Sequence, residues 1–194
     1  MSAIKSICVY CGASLGNSPE YLKLAQEMGR QLARRKIRLV YGGGRVGLMG
    51  ALADAALADG GRVIGIIPDH LQAAEVGHDG LSELRVVESM HARKRLMFDL
   101  SDAFVVLPGG FGTLDETFEI VTWRQLGLHD KPIVLVDQDG YWEPFMDLID
   151  HVILAGFAKP AARQNFSVAG GVARLFDLLE GAVETHEPSY PERI

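Results

Sequence analysis

The segment Pro108-Gly109-Gly110-Phe111-Gly112-Thr113-Leu114-Asp115-Glu116 joins an apolar run, Ala103 to Leu107, to an apolar-periodic stretch, Leu114 to Leu126. That order reads as strand, tight turn and helix. A second junction of the same kind, Tyr41-Gly42-Gly43-Gly44-Arg45-Val46-Gly47-Leu48-Met49-Gly50, follows the apolar run Arg38 to Tyr41. A chain punctuated in this way is built from βα units. The glycines let the backbone curl and aim several N–H groups at one spot, at a helix N-terminus where the macrodipole favours an anion. A phosphate is the usual guest. Thr113 adds a hydroxyl there, and Asp115 and Glu116 add two carboxylates. A phosphate cradle beside a carboxylate points to a phosphorylated substrate undergoing chemistry.

The same alternation runs through the chain. Strands are predicted at Ser6 to Tyr10, Arg38 to Tyr41, Arg62 to Ile67, Leu84 to Val87, Ala103 to Leu107 and Ile133 to Val136. Most are rich in Val and Ile without strict alternation, the pattern of strands buried on both faces. Helices are predicted at Pro19 to Arg35, Leu48 to Asp59, Met90 to Leu100, Thr113 to Gln125, Glu143 to Leu154 and Gly171 to Glu180, with Ser18-Pro19 as a cap and first-turn signal. The expected fold is therefore α/β: a Rossmann-like, doubly wound parallel sheet with helices on both faces. Ligands in such folds bind beyond the carboxyl ends of the strands, where both glycine turns fall.

With 194 residues and 48% hydrophobic content, one domain with a sizeable core is expected. It is drawn over residues 1–182, followed by a loosely ordered tail, 183–194, containing Pro188 and Pro191. A net charge of −6 without a long basic block argues against binding polymeric nucleic acid, though not against one small anion in a local basic pocket. No apolar run is long enough to span a bilayer, and the N-terminus reads directly into a strand without a signal-peptide pattern. The expectation is a cytoplasmic protein with no membrane partner.

Cys8 and Cys11 form C-x-x-C, but in a strand and its end rather than at a helix start. Residues three apart on a strand face opposite ways, so a packing role is favoured over a redox pair. No metal-ligand pattern stands elsewhere in the chain. The first glycine turn contains G-x-G-x-x-G at Gly42, Gly44 and Gly47, which raises dinucleotide binding. Against that, it follows the second strand, and Ile66-Ile67-Pro68 stands where an acidic residue is expected, with Asp69 only beyond the proline. Close helix–sheet packing and a part in a ligand pocket are the other two readings.

In the helix opening at Ser89, Arg93 falls within the stripe of Met90, Leu96, Met97 and Leu100, while Arg95 points away and Lys94 sits at the edge. An inward arginine needs a carboxylate or an anion, through either a structural salt bridge or a substrate contact. Thr113-x-x-Glu116 has the form of a capping box, which gives Glu116 a structural reading beside a catalytic one. Leu114, Phe118 and Val121 read as the sheet-facing stripe of that helix, leaving Glu116 with Ile120 and Trp123 on another face; a helix apolar on two sides packs against something more, for which a second subunit is a candidate. Glu75, in a connecting loop, reads by itself as a solvated acid, and His91 as a cap or packing residue rather than a base.

Three motifs stand in chain order: Gly42-Gly43-Gly44 with Gly47-Leu48-Met49-Gly50, Met90-His91-x-Arg93-Lys94, and Pro108-Gly109-Gly110-x-Gly112-Thr113-x-x-Glu116. Together, over about residues 5 to 180, they resemble the lonely guy family of cytokinin riboside 5′-monophosphate phosphoribohydrolases, often labelled "possible lysine decarboxylase". Nothing in the sequence supports that label: there is no pyridoxal-phosphate lysine context, and Lys94 sits beside an arginine in a different motif. The resemblance implies a Rossmann-like fold, usually a homodimer with the active site near the subunit interface. It implies hydrolysis of the N-glycosidic bond of an adenine-type nucleoside 5′-monophosphate to free base and ribose 5-phosphate.

Carried over by motif, Arg93 and Glu116 are the catalytic pair, and Gly109, Gly110, Gly112 and Thr113 hold the phosphate. Lys94 and Glu75 contact the substrate, and Asp115, where many relatives have glutamate, is counted with them, as are Gly43 and Gly44 of the first turn. The reaction needs no metal or redox cofactor. Two other functions fit the same fold: a module that holds a nucleotide without chemistry, and a nicotinamide-dependent oxidoreductase.

Overall fold

A computed structural model describes residues 4–72 and 77–184. Among these described residues seven strands form one parallel sheet in the order β4-β3-β2-β1-β5-β6-β7. They are β1 (Ser6–Tyr10), β2 (Arg38–Tyr41), β3 (Val63–Pro68), β4 (Glu83–Val87), β5 (Ala103–Val106), β6 (Ile133–Val136) and β7 (Ser167–Ala169). Every residue of β1, β3, β5 and β6 is buried, as their Val/Ile-rich runs require of strands covered on both faces. The edge strand β4 is only partly covered.

Between the strands lie helices α1 (Pro19–Arg34), α2 (Gly47–Ala58), the short α3 (Asp69–Gln72), α4 (Met90–Asp99), α5 (Phe111–Gln125), α6 (Glu143–Leu154) and α7 (Val172–Glu184). One core cluster joins the sheet to α1, α2 and α7, through residues such as Met28, Leu52 and Leu175. The other joins it to α4, α5 and α6, through Met97, Ile120 and Phe145. The start of α1 follows its sequence signal: Ser18 Oγ accepts from the Glu20 N–H at 3.3 Å and Pro19 occupies the first turn. No helix among the described residues is long and apolar enough to cross a membrane.

Besides the short α3, four features differ from the sequence expectation. A seventh strand, β7, pairs with β6 in register Leu135↔Val168. Its three residues follow a 3-10 turn at Pro160–Gln164 and are too few to show a periodicity. The last helix runs to Glu184, past the end expected at Glu180 and past the tail boundary drawn at 183; residues 185–194 lie outside the described residues. Helix α5 begins at Phe111 with Gly110 as its cap, so Thr113 lies within the first turn and no capping box forms.

The fourth difference is the orientation of α5. Its sheet-facing stripe is Thr113, Glu116, Thr117, Ile120 and Val121, whereas Phe118 is exposed and Leu114 only partly buried. Polar residues face inward because that end of the helix borders a cavity; of the stripe expected from apolarity, Val121 is buried and Leu114 packs against the core, while Phe118 is exposed.

Candidate active site

The strand order reverses direction at β1: the chain runs outward through β2, β3 and β4, then crosses back to β5 on the other side of β1. The loops leaving β1 and β5 therefore diverge, and the crevice between them is the usual ligand position in such sheets. A cavity of about 500 Å³ lies there, within the usual ~300–1,000 Å³ of small-molecule sites. The loop after β1 is tied to both neighbours. The N–H of Gly12 donates to Pro108 O at 3.0 Å, and the Leu48 N–H, at the start of α2, donates to Gly12 O at 3.0 Å.

The second glycine turn forms one wall. Gly109, Gly110, Gly112 and Thr113 all border the cavity. Among the described residues the cap of α5, Gly110, makes no side-chain hydrogen bond and the first turn carries no acidic residue, so the helix presents its leading N–H groups and positive dipole end to the cavity. A side chain at Gly109 would overlap Thr113 Oγ1, so this glycine is needed by the protein itself. At Gly110 and Gly112 a Cβ would meet nothing within 4 Å.

Arg93 and Glu116 border the same cavity from α4 and α5. Both are buried, at 5% and 8% exposure. Arg93 Nη2 donates to Gly42 O at 3.2 Å, which ties the arginine to the first glycine turn, and Nη1 lies 3.7 Å from Met90 Sδ. A side chain at Gly42 would overlap Nη2. The negative charge of Glu116 is felt along β1: burial first and that carboxylate second push the Cys8 and Cys11 thiols well up. The two cysteines belong to opposite core clusters, are free, and are held as neutral thiols, as a packing role requires.

Other sequence candidates lie elsewhere. Lys94 does not border the cavity. Its Nζ lies 3.1 Å from both Asp115 Oδ2 and Glu119 Oε1, tying α4 to α5. Burial lowers its pKa, but the bonds to the two carboxylates outweigh that and raise it. Asp115 is engaged by that lysine rather than by the cavity. Gly43 packs on Ile66 with φ +78° and Gly44 bridges to Gly77; from the first turn Gly42, Leu48 and Met49 border the cavity. His91 is exposed. Glu75 lies outside the described residues.

The cavity also uses residues that sequence reading missed: Gly12, Ser14, Tyr21 and Tyr141. The run Gly12-Ala13-Ser14-Leu15-Gly16 after the first strand was an available signal, but its weight depends on β1 being the switch strand.

A family model described as "possible lysine decarboxylase" matches residues 49–179. The cytokinin riboside 5′-monophosphate phosphoribohydrolase of Rhodococcoides fascians is 53% identical over 165 residues, 84% of this chain and 83% of the relative. One of the same description from Arabidopsis thaliana is 44% identical over 186 residues, 96% of this chain and 87% of the relative. Among solved structures, the molybdenum cofactor carrier protein of Chlamydomonas reinhardtii superposes with a TM-score of 0.71, covering 94% of this chain and all of that one at 23% identity, a likeness of fold. With these relatives and the motifs arranged around one cavity, the chain belongs to the lonely guy family, the family that the "possible lysine decarboxylase" model describes.

Proposed function

We propose that the protein hydrolyses the N-glycosidic bond of adenine-type nucleoside 5′-monophosphates, N6-substituted or plain AMP, releasing the free base and D-ribose 5-phosphate. The names of its relatives support this substrate class. The observation that carries it is the joint burial of Arg93 and Glu116 on one cavity, beside an uncapped helix N-terminus with room at Gly110 and Gly112.

In this reading the phosphate sits at the start of α5, and its binding energy fixes the ribose. Cleavage builds positive charge on the sugar, an oxocarbenium-like state. The Glu116 carboxylate stabilises that charge and orients the attacking water, taking its proton. Arg93, held by Gly42 O, is a fixed cation that balances negative charge on the substrate, whether on the phosphate or building on the leaving base. Lys94, through Asp115, supports the α4–α5 wall, and Gly43 and Gly44 shape the first turn beneath Arg93.

We read the protein as a cytoplasmic homodimer with one catalytic domain that includes α7. Phe111, 92% exposed, and the less exposed Leu114 and Phe118 lie on one stripe of α5, and Phe111 also borders the cavity. A second copy covering that stripe would close the mouth of the site.

Chromatography of reactions with AMP, isopentenyladenosine 5′-monophosphate and adenosine tests the activity. Base and ribose 5-phosphate are expected from one or both nucleotides and at least ~100-fold less base from adenosine, because phosphate binding drives the chemistry. Binding of both nucleotides without base release would leave a non-catalytic nucleotide module instead.

A further inference from the structure

Tyr141, in the turn between β6 and α6, donates a 2.6 Å hydrogen bond through its hydroxyl to the carbonyl of Gly109, in the glycine turn after β5. Its ring meets Tyr21 edge-on at 5.5 Å and Trp142 at 4.9 Å between centroids. Tyr21, from α1, in turn lies against Gly16, where an added Cβ would meet its ring at 2.7 Å. Tyr21, Tyr141, Gly16 and Gly109 all border the cavity. Two tyrosines from separate elements thus brace the two loops that diverge at the switch point.

The tyrosine is itself delivered by a stiff turn. Asp139 and Gly140 are both in the left-handed region, at φ 56° and 77°. The Trp142 N–H donates to Asp137 Oδ1 at 2.8 Å, and the Trp142 side chain is fully buried. The hydroxyl therefore has little freedom to leave Gly109.

A trans peptide is planar, with its C=O and N–H pointing opposite ways. Fixing the Gly109 carbonyl therefore fixes the N–H of Gly110, the residue that caps α5. Neither glycine has a side chain to resist rotation of this peptide, so its orientation needs an outside hold. We propose that Tyr141 is a positioning residue for the phosphate turn: its hydroxyl holds the Gly109–Gly110 peptide in the orientation that receives the nucleotide's phosphate. This rests on reading the cavity as a nucleoside monophosphate site and adds a residue that none of the three sequence motifs contains. Tyr141 acts on binding of the phosphate and not on the glycosidic bond.

Tyr141→Phe keeps the ring contacts and removes only the hydroxyl. In protein carrying Glu116→Gln, so that nucleotide is not consumed, calorimetry gives the affinity for AMP and for adenosine with and without Tyr141→Phe. The AMP Kd is expected to rise about ten-fold, the size of one lost hydrogen bond, with adenosine within about twofold and the melting temperature within about 2 °C. In the otherwise wild-type enzyme, KM for the nucleotide rises while kcat stays within about threefold. An unchanged AMP Kd, an equal loss for adenosine, or a large fall in melting temperature would each overturn the positioning role. Failure of AMP to bind protein with Tyr141 intact would instead remove the nucleotide reading and this inference with it.

Discussion

The two glycine turns look alike in sequence and differ in what requires them. In the first, the protein's own atoms exclude a side chain. A Cβ at Gly42 would overlap Arg93 Nη2, one at Gly47 would collide with the backbone of Ala13 and Ser14, and one at Gly50 with the carbonyl of Arg45. Gly47 also sits at φ +61°. In the second turn only Gly109 is held this way, by Thr113, while Gly110 and Gly112 face open space. One turn is glycine because protein fills it. The other is glycine at two positions that border the cavity and that protein atoms leave open. A glycine-rich motif therefore carries functional information only once its neighbours are known.

Gly47→Ala should have the largest effect on folding. Positive φ and a backbone collision together cost about 3 kcal/mol or more, read as a lower denaturant midpoint. Wild-type stability in that variant would break the packing half of the comparison. Gly42→Ala displaces the end of a flexible but buried side chain, so the chain folds with Arg93 moved. A fall in kcat/KM of about 100-fold is expected, equivalent to about 2.7 kcal/mol, with a loss of stability of about 1–3 kcal/mol. Gly112→Ala separates the two turns most sharply. Within α5 alanine is tolerated or raises stability by up to about 1 kcal/mol, yet KM for the nucleotide should rise about ten-fold. Lost stability with unchanged KM would mean that this turn, too, is glycine for packing.

The smallest effect concerns the far end of α5. His129 Nε2 lies 2.9 Å from Ile120 O, so it carries the proton that the carbonyl accepts, and Nδ1 is buried. Burial holds its pKa below the ordinary value, against the Ile120 hydrogen bond, which raises it, and with help from the charges of Arg124 and Lys131. The unfolded chain, titrating at ~6.5, takes up this proton before the folded one as pH falls. Stability is therefore complete above that pH and falls as pH drops through it towards the folded pKa, by at most about 1.4 kcal/mol per pH unit. Thermal unfolding between pH 8 and 5 checks this, and His129→Gln should flatten the slope.

Much of this was legible in the sequence. Six of the seven strands described are apolar runs in the sequence, four of them, β1, β3, β5 and β6, buried throughout as their composition suggests, and the glycine turns marked two of the strand-to-helix junctions. Strand order is not local information. Without it the loop after β1 could not be recognised as half of the crevice, and Tyr21 and Tyr141 could not be connected to it. Lys94 and Arg93 are adjacent in the chain but about 100° apart around α4, so one joins Asp115 and Glu119 while the other reaches the cavity. The inward face of α5 was legible only at Val121 and Leu114, because its first turns also carry Thr113, Glu116 and Thr117 inward. Apolarity marks a core face, and it fails where the core opens into a site.

The decisive measurement is base release from AMP or isopentenyladenosine 5′-monophosphate by wild-type protein and Glu116→Gln, paired with calorimetric binding of the same nucleotide. Glu116→Gln keeps the shape of the side chain and removes its charge. Nucleotide affinity within about threefold of wild type, with turnover lower by about 10²–10⁴-fold, is the expected result for a carboxylate acting on the reacting sugar and water. Turnover unchanged in Glu116→Gln would contradict the assignment of this cavity's chemistry to Glu116.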